Sequence, residues 1–205
     1  NDVIQPFFIV EGENKQETIA SMPGINRYSV DLLIKAIGRY RSVGGQAGLF
    51  FGIPDKKDST ASQATSAGSI MQRAIKAIKS KFSDFLVITD VCLCGYTDHG
   101  HCGILHNGVI DNDKTIPILA KMAVLHAEAG ADIVAPSDMM DLRVGKIREE
   151  LDKKGLTDTS IMSYSAKYQS AFYGPFRDAA HCAPQFGDRA TYQMDCANQR
   201  EALKE

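Results

Sequence analysis

Apolar and polar positions alternate along the chain in two regimes. Short apolar runs at residues 7–10, Ala47–Ile53, 85–91, 131–135 and 160–164 have the length and flanks of strands. Between them lie longer stretches with apolar residues at helical spacing. Residues 30–40 follow Ser29, a capping residue. Residues 69–79 place Ile70, Ala74, Ile75 and Ile78 on one stripe. Residues 115–129 open on Thr115 with Pro117 in the first turn and stop at Gly130. Residues 140–154 stop at Gly155, and a last helix is expected to start near Asp195. Strand–helix alternation of this kind predicts βαβ units and a parallel sheet in one α/β domain.

Two architectures compete for five such units: an open doubly wound sheet and a (β/α)8 TIM barrel present only to about its fifth unit. A complete barrel takes about 250 residues, more than the 205 here. No glycine-rich phosphate turn follows the first strand, which counts against dinucleotide binding. Polar residues decide the choice. Asp90 ends the third strand, Ser137 and Asp138 follow the fourth, and Lys167 follows the fifth. Reactive side chains just past the carboxyl ends of parallel strands are where barrel enzymes build their sites. The barrel is therefore expected, spanning 1–205 as a single partial domain. The chain opens at Asn1 and closes on the helix formers of residues 198–205 with no stop residue, so both ends are expected to be cut.

Composition narrows the partners. Lys and Arg total 23 against 25 acidic residues, a net charge of −2, which lacks the basic excess that nucleic-acid binding needs. No run of 18 apolar residues occurs, so no membrane span is expected, and no signal peptide is visible. Three of the five cysteines, Cys92, Cys94 and Cys102, fall within eleven residues. Such crowding points to metal ligation or reactive thiols in a reducing compartment rather than to a disulfide framework.

The segment from Asp90 to His106 carries those three thiols with glycines at 95, 100 and 103 and histidines at 99 and 101. Three thiolates with an open fourth position describe a catalytic zinc site, not a closed structural one. The glycines let the loop fold back and bring Cys102 to Cys92 and Cys94. His99 or His101 is available as a fourth ligand or a hydrogen-bond partner to the site. Cys182 and Cys196 stand alone in polar surroundings and are expected to be incidental. Lys167, at a strand end beside an aromatic stretch, has the placement of a Schiff-base nucleophile. Arg177, Arg189 and Gln193, expected in one long loop, could hold a substrate carboxylate.

The motifs Asp90-Val91-Cys92-Leu93-Cys94, His99-Gly100-His101-Cys102-Gly103, Ser137-Asp138-Met139-Met140-Asp141 and Met162-Ser163-Tyr164-Ser165-Ala166-Lys167 occur in this order. Together they closely resemble the porphobilinogen synthase (delta-aminolevulinic acid dehydratase) family. The resemblance extends from Ser21-Met22-Pro23-Gly24 to residues 188–194. It implies a (β/α)8 barrel that condenses two molecules of 5-aminolevulinate into porphobilinogen, a step of tetrapyrrole (heme) synthesis. Cys92, Cys94 and Cys102 match the zinc ligands of the thiolate branch, and other branches use aspartates and magnesium instead. Lys167 matches one of two Schiff-base lysines, and Asp90 an acid beside the metal and the reacting amine. Arg177, Arg189 and Gln193 match a substrate-carboxylate site, and Ser137 and Asp138 join the substrate-binding set. Glu205 falls where many bacterial members carry an allosteric magnesium ligand. The resemblance further implies a cytoplasmic homo-octamer.

Two departures stand out. The second lysine, in a Val-Lys-Pro type motif at the next strand end, is not among these residues, nor is the N-terminal arm used in assembly. The 205 residues alone are therefore expected to lack full activity, and two open sheet edges to make them aggregation-prone. Leu142 replaces the glycine usual before Arg143. Two other readings compete: a metal-free class I aldolase-like barrel and a non-enzymatic thiolate-rich metal or redox module.

Overall fold

The computed structural model describes residues 3–204. Its centre is a seven-stranded sheet of β1 (Ile4–Val10), β2 (Gln16–Thr18), β3 (Asn26–Tyr28), β4 (Ala47–Ile53), β5 (Leu86–Val91), β8 (Ile133–Pro136) and β9 (Ser160–Ile161), ordered β2-β3-β1-β4-β5-β8-β9. A separate hairpin pairs β6 (Leu105–His106) with β7 (Val109–Ile110). From β1 to β9 the long-range order follows the chain, with every pairing parallel. A doubly wound sheet carries a reversal of strand order between its main βαβ units, and from β1 to β9 there is none; only the short β2–β3 edge lies on the other side of β1. The progression is that of a barrel wall.

Alternation along β1 sorts its side chains onto two faces. Phe7 and Ile9 turn toward α1 (Val30–Ser42) and α2 (Ile70–Lys81), packing with Phe50, Leu33, Ile37, Met71 and Ile75. Phe8 and Val10 face the other way, with Phe51, Val91 and the buried cysteines. Parallel register places Phe7 opposite Phe50 and Phe8 opposite Phe51, and both pairs stack, at 5.3 and 5.2 Å between ring centroids. Each such ring contributes about 1.5–3 kcal/mol by leaving water. The outer face thus anchors the helices, while the inner face forms the floor of the site.

Several element boundaries differ from expectation for identifiable reasons. The segment 16–28, too short and polar to read as strands, adds β2 and β3, with β3 parallel to β1 and β2 antiparallel at the edge. α3 (Asn112–Glu128) starts earlier than predicted because Asp111, not a Thr, caps it by accepting from the Lys114 amide at 3.0 Å. Pro117 therefore lies beyond its first turn. α4 (Arg143–Lys153) starts three residues later than predicted. Asp138 first accepts the Met140 amide at 2.7 Å and builds a turn in which Met139 and Leu142 both take positive φ. Residues 171–179, read as a loop, form a turn of 3-10 helix and α5 (Gly174–Ala179). The last helix, α6 (Gln199–Lys204), starts four residues past Asp195. Beyond β9 the predicted fifth strand continues only as two amide bonds to β8, from Met162 to Val134 O and from Tyr164 to Pro136 O. Glu205 lies outside the described residues. Among the described residues no helix is long and apolar enough to cross a membrane.

Leu142 has φ 64° and ψ 6° and is 86% exposed. An L side chain in this left-handed region costs about 1–2 kcal/mol, and exposure leaves little packing to offset it. Leu142→Gly is accordingly expected to raise stability by about 1 kcal/mol in urea unfolding, after glycine's own entropic cost. His126 of α3 is buried and paired to Thr89 Oγ1 at 3.1 Å, and burial pushes its pKa from 6.5 down to about 4. The unfolded chain takes up this proton near pH 6.5 and the native fold only near pH 4. Its contribution is therefore complete above pH 6.5 and is lost as pH falls toward 4, by about 3 kcal/mol in all. His126→Gln should flatten the slope of unfolding free energy against pH across that window.

Candidate active site

The carboxyl ends of β5, β8 and β9 bring the predicted reactive residues together. Asp90, next to last in β5, pairs in register with Ala135 of β8, so Ser137 follows directly alongside. Ser137 Oγ donates to Asp90 Oδ1 at 2.6 Å, and Lys167 Nζ donates to Ser137 O at 2.5 Å. Lys167 is buried, and its ammonium lies 5.6 Å from the ring centres of both Tyr164 and Tyr173. Its backbone is held by Met194, whose amide donates to Lys167 O at 3.0 Å. Burial opposes the lysine's charge, yet the facing sulfurs of Cys102, Cys92 and Cys94 and the Asp90 carboxylate outweigh burial and raise its pKa. Asp90 is itself pushed up to about 7, first by burial and then by the charge on Cys94.

The loop after β5 carries the thiols inward. Cys92, Cys94 and Cys102 are buried, and their sulfurs all lie within 4.8 Å of one another. Cys92 and Cys94 Sγ are 3.4 Å apart. Gly100 makes the return possible: its φ is 73°, and a Cβ there would sit 2.4 Å from Ala183 O. Gly103 has no room for a side chain either, with Thr115 Oγ1 only 2.7 Å from the Cβ position. The donor chemistry fits a soft divalent ion: three buried thiols converge, and hydrogen bonds from Cys102, Cys182 and Cys92 hold Cys94 well below the ordinary thiol range.

Neither histidine joins the sulfurs as a ligand. His101 spends both ring nitrogens elsewhere, on Tyr192 Oη at 3.1 Å and Phe186 O at 3.0 Å. His99 Nδ1 accepts the His101 amide at 3.1 Å. Among the described residues, only the three cysteines form a group able to hold a metal. The histidines instead build the wall of the loop.

The remaining predicted residues divide between the site and its supports. Asp138 is fully buried, with Arg143 Nε 3.5 Å from its second oxygen, and burial pushes it up to about 6. Arg143, which carried no sequence signal, bridges Met140 O, Ser163 Oγ and Tyr164 O, so it ties the β8 loop to the segment bearing Lys167. Arg177 stands half-buried on α5 rather than in a loop. Arg189 is buried against the sulfurs, and its Nη2 donates to Gly100 O at 3.0 Å and Cys182 O at 2.8 Å. Gln193 is buried with both amide atoms unpartnered, as suits a side chain that waits for a ligand. It borders a cavity of about 890 Å³ between the β8–α4 turn and α6.

The profile of the delta-aminolevulinic acid dehydratase family matches residues 1–205. The chain belongs to the delta-aminolevulinic acid dehydratase family. It is 56% identical to the delta-aminolevulinic acid dehydratase of Methanothermus sociabilis over all of its length and 64% of the relative's. It is 52% identical to that of Bacillus subtilis (strain 168), again over the whole chain and 63% of the relative. The chain thus spans under two thirds of the curated relatives it matches. Its fold superposes on the Toxoplasma gondii ME49 delta-aminolevulinic acid dehydratase (porphobilinogen synthase), solved in complex with the reaction product porphobilinogen. The TM-score is 0.95 at 46% identity, covering 98% of this chain and 58% of that one.

Cys182, expected to be incidental, is buried but lies outside the group of three sulfurs, whereas Cys196 is exposed. Beside Cys182, Ala183 O closes over Gly100. Gly100→Ala would meet both that carbonyl and the left-handed φ. It is expected to cost about 2 kcal/mol or more. A thiol reagent that promptly labels one cysteine of the native protein, Cys196, should then label Cys182 as well.

Proposed function

We propose that the protein containing this chain is a porphobilinogen synthase, a lyase that condenses two 5-aminolevulinate molecules into porphobilinogen with loss of water in heme biosynthesis. The observation that carries this reading is the buried Lys167 ammonium, held at Ser137 O between two tyrosine rings and facing both Asp90 and the three sulfurs. Family membership supports it, as does the product complex of the Toxoplasma gondii relative.

Each residue then has a task. Once deprotonated, Lys167 Nζ attacks the ketone carbon of one substrate, the carbonyl oxygen leaves as water, and the iminium that remains is a better electron sink and a fixed anchor. Ser137 O and the tyrosine rings aim that amine, and burial excludes competing water. Asp90, joined to Ser137 Oγ, is the carboxylate placed to relay a proton beside the amine. Arg177, Arg189 and Gln193 are assigned to the substrate carboxylate, and Ser137 and Asp138 to shaping its pocket. Because the two substrates are identical, only such asymmetric contacts can tell them apart. Cys92, Cys94 and Cys102 would hold zinc, which supplies Lewis-acid polarisation of a carbonyl when bound. This thiol triad favours the synthase over a metal-free aldolase-like barrel. From the family resemblance we also propose a cytoplasmic homo-octamer, with Glu205 as a ligand for allosteric magnesium.

Borohydride reduction in the presence of 5-aminolevulinate tests the covalent role. An adduct is expected on the peptide carrying Lys167, and it should vanish in Lys167→Ala while bound zinc remains. Cys92→Ala should lose zinc and turnover together. Full turnover in Lys167→Ala, or an activity indifferent to chelator, would refute the assignment.

A further inference from the structure

Arg143 stands where helix physics gives no reason for a cation. It is the first residue of α4, at the positive end of the helix dipole, and that first turn carries no acidic residue. Its side chain is 11% exposed and lies against the fully buried Asp138. Even so, the two do not close into a hydrogen bond. Arg143 Nε and Asp138 Oδ2 stay 3.5 Å apart, each buried without a hydrogen-bond partner. A guanidinium present only to neutralise Asp138 would form the charge-assisted bond to it. Arg143 spends its donors elsewhere: Nη1 on Met140 O at 3.0 Å, and Nη2 on Ser163 Oγ at 3.3 Å and Tyr164 O at 2.7 Å.

Those acceptors lie on the two stretches that decide where the Lys167 amine sits. The loop after β8 supplies Ser137 O, to which Lys167 Nζ donates at 2.5 Å. The stretch after β9 supplies Tyr164, whose ring centre is 5.6 Å from the same ammonium. β9 has already ended at Ile161. The Tyr164 amide still reaches Pro136 O at 3.1 Å, and exposed Ser165 and Ala166 then lead to Lys167, whose carbonyl accepts the Met194 amide. Arg143 thus grips the chain three residues before the lysine and ties it to the β8 loop. A planar fork spans both stretches at once, which a single ammonium does not. Arg148 of the same helix makes a useful contrast. It donates to Thr159 O at 2.7 Å and Leu156 O at 3.0 Å, securing the amino end of β9, away from the amine.

We propose that Arg143 is a positioning residue for covalent capture of the substrate: by joining the β8 loop to the Ser163–Tyr164 stretch, it fixes the direction from which Lys167 Nζ meets the ketone. The inference rests on the reading of Lys167 as the nucleophile. The covalent step itself is unaltered, since the amine still adds to the ketone carbon and the oxygen still leaves as water. What Arg143 supplies is aim, and a displacement of about 1 Å in such a step can cost about a hundredfold in rate.

Rapid borohydride quenching of the full-length enzyme with 5-aminolevulinate measures this. The final yield of adduct on Lys167 counts the folded molecules, and the rate of its appearance reports their geometry. Arg143→Lys keeps the charge beside Asp138 but loses the fork. Its adduct rate and kcat are expected to fall together by roughly a hundredfold, with KM within about threefold. Ethylguanidine added to Arg143→Ala should restore the adduct rate by about tenfold. Arg148→Lys should lower the urea midpoint and leave the adduct rate within about twofold. An adduct formed at the wild-type rate by Arg143→Lys, or a loss no greater than in Arg148→Lys, would overturn the positioning role and leave Lys167 as the nucleophile. If Arg143→Lys gives no adduct at all, recovery of adduct by ethylguanidine in Arg143→Ala supports the role and no recovery overturns it. Absence of any adduct in the wild type would instead overturn the reading of Lys167 on which the inference rests.

Discussion

Everything at the mouth of the sheet depends on keeping opposite charges together away from water. Lys167 and Arg189 are buried, and Cys92, Cys94, Cys102 and Cys182 are buried beside them. Burial by itself works against charge on every one of these groups. The arrangement survives because sulfur, carboxylate and cation share one dry volume in which each lowers the cost of the others. This explains why Lys167 is held protonated although desolvated: the facing thiols and Asp90 outweigh burial. A nucleophilic lysine must instead lose that proton. A divalent ion held by the three sulfurs would compensate their charge and leave burial to favour the neutral amine.

The sheet makes this possible by separating two kinds of work. One face of β1 and β4 carries Phe7 and Phe50 into the helix layer, and the other carries Phe8 and Phe51 toward Phe176 and the cysteines. Stability comes from helices packed on the first face. The second face can then spend its burial on sulfurs and a lysine rather than on hydrocarbon alone. Strained or crowded positions, among them Met139, Leu142 and Gly100, cluster on loops at the same end, as is usual where a scaffold positions function.

Much of this was legible in the sequence because it is local or periodic. The apolar runs that became β1, β4, β5 and β8 differ from their predicted limits by at most three residues at either end, and Asp90, Ser137 and Lys167 were placed from strand ends alone. The hairpin β6–β7 carried a signal that was passed over. Asn107-Gly108 takes positive φ at both positions, as a tight hairpin turn demands, but strands of two residues show no alternation to flag. β2 and β3 are polar and three residues long, so nothing in their sequence distinguishes them from a loop. Leu142 could be read only as an oddity until its left-handed φ gave the reason a glycine would suit the position.

The polar segment 16–28 shows why such illegible parts matter to chemistry. Arg27 of β3 is buried and donates from Nε to Ala179 O at 2.8 Å and from Nη2 to Asp178 O at 2.6 Å, capping the last carbonyls of α5. Ser21 Oγ donates to Asp178 Oδ2 at 2.5 Å from the same side. α5 has only six residues and little helical stability of its own. Held by this edge, it presents Arg177 and leads directly into His181, Cys182 and the Arg189 turn. A pair of short strands that adds little to the hydrophobic core thus fixes the segment that carries Arg177. The site is assembled from both ends of the sheet, with the cysteine loop from its middle and its cover clamped at its edge.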